Sequence, residues 1–436
     1  MPGTNNGASR SRSDSFKRAD VRISGDTISD IAEELEDHPD DIIIEANNMW
    51  LTPGFIDVHT HLRDLGQTAK EDIETGSKAA ARGGYTTVVA MANTVPPTDS
   101  PLVFGQVQGA CKSRAQIRVL PLACVTIGMK GEQLTEMATL SQMGAIAFSD
   151  DGMPVTNLAI MKRALEYAKL LGKPIISHPE DHHLSAGGCM NESAQSTKLG
   201  LPGIPNVSES ACIAREMELV RATGAHLHFA HVSTEAAVGL IRAGKAENLP
   251  ITAEVSPHHL SLCDEDVGEY DTHYKMNPPL RSKHDQFVLV EAIKEGLFDC
   301  IATDHAPHTR EEKGQPFTAA PFGIIGLETA FAVVYERLVL SNEITINELL
   351  GLLTIGPARV IGLPDPSLKV GARADIAVIA PHTEWIYNAN DGASKSNNSP
   401  WNHRTLTGKV LATICGGQLA YRGTDLKLTE PKPAAR

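Results

Sequence analysis

The sequence predicts an α/β chain: a (β/α)8 TIM-type barrel carrying a small β-sandwich domain built from both chain ends. Three observations carry that expectation. From Gly54 onward, short β-branched apolar runs alternate with stretches of helical periodicity. Eight such units fill roughly 250 residues, the size of a barrel of this kind. The runs also end in polar residues, as they do where a barrel gathers its active site at the C-terminal ends of its strands. A doubly wound open sheet would carry a Gly-rich phosphate turn after its first strand, and none is present.

Taken in order, residues 1–18 ("MPGTNNGASRSRSDSFKR") are polar, Ser/Arg-rich and without an apolar centre, which predicts a disordered tail and not a secretory signal. Residues 19–52 hold "ADVRISGDTISDIAEELE" and "DIIIEANNMWLTPG", short strand patterns joined by Gly, Asp and Asn turns. They form the N-terminal part of the small β domain. The barrel is expected over 53–362, with strands in "GFIDVHTHLR", "TTVVAMANT", "RVLPLACVT", "AIAFSDDG", "KPIISHPED", "HLHFAHVS", "ITAEVSPHH" and "DCIATDHAPH". Helical stretches such as "NLAIMKRALEYAKLLG" and "TEAAVGLIRAGKAE" lie between them. Residues 363–436, with "SLKVGARADIAVIAP" and "TGKVLATICGGQLAYRG", complete the small domain.

Composition narrows the function. A net charge of −14 without a basic run argues against nucleic acid or an anionic membrane surface as partner. No apolar stretch reaches the roughly 18 residues a membrane span needs. The 7 cysteines are scattered and never form Cys-x-x-Cys, so a disulfide framework or thiolate zinc site is not expected and a cytoplasmic location is.

The chemistry lies at the strand ends. Residues two apart on a strand share a face, so His59 and His61 project together. Imidazole and carboxylate are common divalent-metal ligands. Further runs end in Asp150-Asp151, His178, His231 and Asp304. Together these residues supply ligands for two ions, with one carboxylate shared and a hydroxide between the ions as nucleophile. Asp304 is the expected general acid/base. Arg63, two residues beyond His61, offers a forked donor for a carboxylate, and Asn93 a second polar contact. The long polar segment after Asp304 reads as a lid, with His308 near its start, and "KMNPPLR" supplies Asn277. His226 and His228 are expected to pack or cap, His182 and His183 to sit in a loop, and Cys300 in the core. His258 and His259 are left with a supporting role open.

These segments resemble dihydroorotases of the bacterial type I group, in the amidohydrolase superfamily. The likeness rests on "GFIDVHTHLRD", "GGYTTVVAMANT", "FSDDG", "SHPED", "HFAHVST", "TAEVSPHHL", "KMNPPLR", "ATDHAPHTREEK" and "APFGIIGLE". It implies two Zn²⁺ per subunit: His59, His61 and Asp304 on one, His178 and His231 on the other, with Asp151 and a water or hydroxide bridging. It implies substrate contacts from His61, Arg63, Asn93, Asn277, His308 and the Phe322-Gly323 backbone. The implied activity is reversible cyclisation of N-carbamoyl-L-aspartate to L-dihydroorotate in de novo pyrimidine (UMP) biosynthesis, with Asp304 catalytic. The resemblance leaves room for a homo-oligomer and for association with aspartate transcarbamoylase.

Leu65 and Ala92 stand where the family often has proline, and "TNNGASRSRSDSFKR" replaces the family's usual first strand. Hydantoinases, dihydropyrimidinases and allantoinases are the rival enzymes, but they usually bridge their metals with a carbamylated lysine where this chain has Ser149-Asp150-Asp151. A non-catalytic dihydroorotase-like subunit is the second rival, and such proteins lose ligand positions that are filled here.

Overall fold

The computed structural model describes residues 16–429. Most of the tail expected over 1–18, and the sequence that replaces the family's first strand, lie outside the described residues. At the edge of that segment Phe16 stacks on Trp50, ring centroids 4.6 Å apart.

Strands Phe55–Thr60, Tyr85–Ala90 and Arg118–Pro121 form one parallel sheet. Strands Ile175–Ser177, Leu227–Phe229, Ile251–Val255 and Cys300–Ile301 form another. Parallel bridges Ala123↔Phe148 and Phe148↔Ile175 join the two sheets on one side, and Thr60↔His305 joins them on the other. The run expected as a strand around "AIAFSDDG" therefore shrinks to bridges at Phe148. One reason is local: the Val125 and Thr126 N–H groups donate to the Asp150 carboxylate, at 2.7 and 3.1 Å, instead of to a neighbouring strand.

Both faces of these strands are covered, as parallel sheets require. Phe55 and Val88 pack with Phe104, Phe148 and Phe229 on the helix side. Their neighbours Ile56, Val58 and Val89 point the other way, onto Leu122, Ile176 and Ala302. The connecting helices carry their own stop signals. Helix Ile73–Arg82 opens on an Asp72 capping box and ends at Gly83. Helix Leu158–Leu171 is capped by Asn157 and stopped by Gly172 at φ 64°, and Thr234 caps Glu235–Ala246.

The chain ends meet in antiparallel pairs. Trp50–Pro53 pairs with Ile376–Ile386, which pairs with Thr405–Cys415 and then Gln418–Arg422. Ile43–Ile44 pairs with Leu428–Thr429, and the hairpin of Asp20–Ser24 with Thr27–Ala32 turns at Gly25. Between the two long C-terminal strands, 387–404 leaves the sheet and runs toward the polar ends of the parallel strands, where Asn398 is buried.

Candidate active site

Strand Phe55–Thr60 is buried throughout and delivers His59 at its end. His61 follows, its N–H bonded to the His305 carbonyl at 2.8 Å, so the first and last parallel strands finish side by side. Here the structure gathers six of the residues singled out in the sequence. His59 Nε2 lies 3.4 Å from Asp151 Oδ1 and 3.6 Å from Asp304 Oδ1. His61 Nε2 lies 3.0 Å from Asp304 Oδ1 and 3.4 Å from Asp151 Oδ2. On the far side His178 Nδ1 and His231 Nε2 are 2.9 Å apart, and 3.5 and 3.7 Å from Asp151 Oδ1. Asp151 thus serves both groups, one with His59 and His61 and one with His178 and His231. Asp150 turns away to Val125 and Thr126. Burial pushes its carboxyl up to about 6, against the pull of its Thr126 bonds.

The electrostatics fit a cation. A carboxylate can only accept, so the His59 Nδ1–H donates to Glu254 Oε1 at 2.8 Å, which leaves a lone pair on Nε2. Likewise His61 Nδ1–H donates to Asn93 Oδ1 at 2.9 Å. Both free nitrogens then face carboxylate oxygens. Buried His59 Nε2 and Asp151 Oδ1 have no hydrogen bond within the protein. Lone pairs aimed at one another in a dry site need a positive charge between them, and divalent ions supply it. His231 and Asp304 also hold φ at 33° and 47°, left-handed values that cost about 1–3 kcal/mol and concentrate at functional sites.

Two supporting carboxylates escaped the sequence analysis. Glu254 accepts from His59, from His228 Nε2 at 2.9 Å and from the His231 N–H at 3.1 Å. His228 therefore does more than pack: it holds the group that orients His59. The signal was a charged residue inside the apolar run "ITAEV". Glu180 accepts from His178 Nε2 at 2.9 Å and from Asn277 Nδ2 at 2.8 Å, and lies 3.2 Å from His182 Nε2. His182 opens the short helix His182–Ser185 and does not sit in a plain loop. His258 and His259 are buried and share Ser256 Oγ, at 2.8 and 2.6 Å. Cys300 is buried in the core, as expected.

The substrate-side residues divide between two walls. Arg63 Nε donates to the Pro307 carbonyl at 3.3 Å and its Nη2 lies 3.4 Å from His308 Nε2, beside His61 and Asn93. Burial pushes the Arg63 guanidinium down to about 10 and the His308 ring down to about 3. Asn277 is on the opposite wall with His178 and Glu180. His308 Nε2 lies 2.8 Å from the Phe322 carbonyl. Gly323 has φ 132°, and a Cβ there would meet the Ala306 carbonyl at 2.9 Å, so only glycine fits. The segment expected as a lid is pinned: Lys275 Nζ donates to the Phe317 carbonyl at 2.7 Å, and Lys313 Nζ to the carbonyls of Gly323, Pro321 and Lys275 at 2.9, 3.0 and 3.2 Å.

The family model for dihydro-orotase-like proteins matches residues 49–237. A dihydroorotase of Caldanaerobacter subterraneus subsp. tengcongensis is 45% identical over 93% of this chain and 94% of its own. The chain belongs to the dihydroorotase family. The Bacillus subtilis dihydroorotase is 44% identical, covering 93% of this chain and 94% of its own. Among solved structures, dihydropyrimidinase from Brevibacillus agri NCHU1002 superposes with a TM-score of 0.80 at 23% identity, over 93% of this chain and 91% of that one. That likeness is one of fold. Among the described residues no helix is long and apolar enough to cross a membrane.

Proposed function

We propose that the chain is a dihydroorotase: a metal-dependent cyclic amidohydrolase that interconverts N-carbamoyl-L-aspartate and L-dihydroorotate in pyrimidine biosynthesis. The observation that carries it is the Asp151 carboxylate lying between two pairs of imidazoles, with Arg63 two residues beyond His61. Two Zn²⁺ fit this set, with His59, His61 and Asp304 on one, His178 and His231 on the other, and Asp151 on both. The unbonded His59 Nε2 and Asp151 Oδ1 support that assignment. Bound there, the ions would polarise an amide carbonyl and make water acidic enough to attack near neutral pH.

The protein's own groups do the rest. Arg63 and Asn93 grip the substrate carboxylate, and Asn277, His308 and the Phe322-Gly323 backbone line the ring. Asp304 Oδ1 lies 3.0 Å from His61 Nε2 and 3.6 Å from His59 Nε2, and a carboxyl with an ordinary value of about 4 is ionised at neutral pH. It is thus an ionised base at neutral pH. In hydrolysis Asp304 takes a proton from the attacking water and returns it to the ring nitrogen as the C–N bond breaks. In cyclisation it takes the ureido N–H proton as the C–N bond forms and delivers it to the departing hydroxyl, releasing water.

The reading includes a closed (β/α)8 barrel over 53–362, supported by the parallel bridge between Thr60 and His305, and a β-sandwich domain from 19–52 and 363–436. It includes a cytoplasmic location, supported by seven cysteines that are all free. A homo-oligomer and association with aspartate transcarbamoylase belong to it as well. Size-exclusion chromatography of the mixed proteins tests both, and unshifted monomer peaks would remove them. The deciding experiment is dihydroorotate hydrolysis by zinc-reconstituted protein, with metal measured on the same sample. Turnover supports the reading. Two bound zinc ions without turnover would favour another cyclic amide as substrate.

A further inference from the structure

We propose that Asn398, delivered from the C-terminal segment, is a positioning residue that clamps the two arms of the substrate wall against each other. The inference rests on the dihydroorotase reading for its kinetic consequence, but its structural basis is independent of it. Asn398 is fully buried. Its Oδ1 accepts from the His308 N–H at 3.2 Å, while its Nδ2 donates to the Ala306 and Gly323 carbonyls at 3.1 and 3.0 Å. Its backbone carbonyl accepts from the Ile325 N–H at 3.0 Å. One side chain therefore bonds both 306–308, which carries His308, and 323–325, which follows Phe322. No other residue type of that size offers an acceptor and two donors at once.

The residues before Asn398 tie the same segment to the loop beyond His61 and Arg63. Ser396 Oγ donates to the Lys70 carbonyl at 2.6 Å, and Lys395 Nζ to the Thr68 carbonyl at 3.0 Å. Ser394 Oγ donates to the Glu71 carboxylate. The strip 394–398 thus spans from the loop after the first parallel strand to the loop after the last. It fixes how Arg63 sits against the His308 and Phe322-Gly323 wall, and both must meet one small substrate. A wall loosened by removal of the clamp loses binding geometry without losing a metal ligand or the acid/base. The effect should therefore fall on KM more than on kcat.

The test uses full-length zinc-loaded Asn398→Ala and Asn398→Asp, with Asn397→Ala as neighbour control. Asn398→Asp keeps the shape but sets a carboxylate oxygen against the Ala306 and Gly323 carbonyls, so it turns the clamp into a repulsion that loosens both arms, and it reports even where the alanine variant folds poorly. Expected are a rise in KM for dihydroorotate of about tenfold or more, a smaller change in kcat, and unchanged zinc content. Amide hydrogen exchange at His308 and Ile325 should accelerate by a similar factor in substrate-free protein. Asn397→Ala should leave all of these unmoved. Unchanged exchange at both amides in Asn398→Asp overturns the clamp, whatever the activity. Faster exchange with KM within twofold of the parent overturns its positioning role. Parent protein without turnover would refute the dihydroorotase reading while the exchange measurement still judged the clamp.

Discussion

Two buried polar clusters that adjoin in sequence at His231 and Ser233 treat their charges in opposite ways. Around Arg281 the charges are paired: Nε donates to Ser233 Oγ at 3.1 Å, Nη1 to Asn191 Oδ1 and the Ile204 carbonyl at 3.1 and 2.9 Å, and Nη2 lies 4.0 Å from Glu209 Oε2. Glu209 accepts from the Ser233 and Thr234 N–H groups and from both hydroxyls. Around Asp151, by contrast, the buried His59 Nε2 and Asp151 Oδ1 have no hydrogen bond, and acidic and imidazole lone pairs face one another. Burying an unpaired charge is costly, so a cluster that closes on itself is a framework, and one that stays open is shaped for something it must bind. The difference separates a structural salt-bridge network from a reaction centre without reference to any relative.

Four substitutions test that contrast. The largest effect is expected from Asp304→Asn, which removes the base but leaves the five other proposed ligands. Turnover should fall by about 10²–10⁴ with zinc largely retained. Loss of zinc in step with activity would instead make Asp304 chiefly a ligand. Next comes Arg281→Met in the closed cluster, which strands Glu209 among groups that can no longer balance it. Urea unfolding should show a loss of about 3–5 kcal/mol, with kcat per folded molecule nearly unchanged. A large drop in kcat at intact stability would erase the distinction between the two clusters. Glu254→Gln lies on the border between them. It weakens the hold on His59 Nδ1, so zinc affinity in a chelator titration should fall about 10–100-fold. Unaltered affinity would reduce Glu254 to packing.

What the sequence made legible follows the same line. His59 and His61 could be paired because a strand's two-residue period fixes their common face, and the strand-end aspartates and histidines because each closes an apolar run. Glu254, His228, Lys313 and Asn398 could not be found that way. His59 and Glu254 are 195 positions apart, and the contact exists only once the strands are assembled. Asn398 lies in "SKSNNSP", which has the composition of any surface turn. Its burial is a product of the chain's return from the small sheet. The "AIAFSDDG" run misled for a related reason: its pattern is that of a strand, but the Asp150 side chain takes N–H groups that a neighbouring strand would have used.

The smallest expected effect concerns Lys313, a case between the two clusters: its hydrogen bonds are answered by three carbonyls, and among the described residues no carboxylate forms an ion pair with it, Asp271 and Glu312 acting only at longer range. Burial pushes its ammonium down to about 7 from an ordinary 10.5, and the nearby Lys275 adds to the shift. Between those two values the unfolded chain holds the proton and the folded chain does not. Stability from this group therefore rises with pH across that window, by at most about 1.4 kcal/mol per pH unit. Below about 7 both states are protonated and the slope vanishes. The check is urea unfolding of the parent and of Lys313→Met from pH 6 to pH 9.5. The parent should gain stability relative to the variant as pH rises above 7, whatever constant offset the lost hydrogen bonds impose. Parallel curves would mean that the three carbonyls hold Lys313 as a cation throughout. Hydrogen-bond dipoles alone would then suffice to keep a buried charge in this loop, and an open set of lone pairs at Asp151 would be the only arrangement of the three that demands an ion.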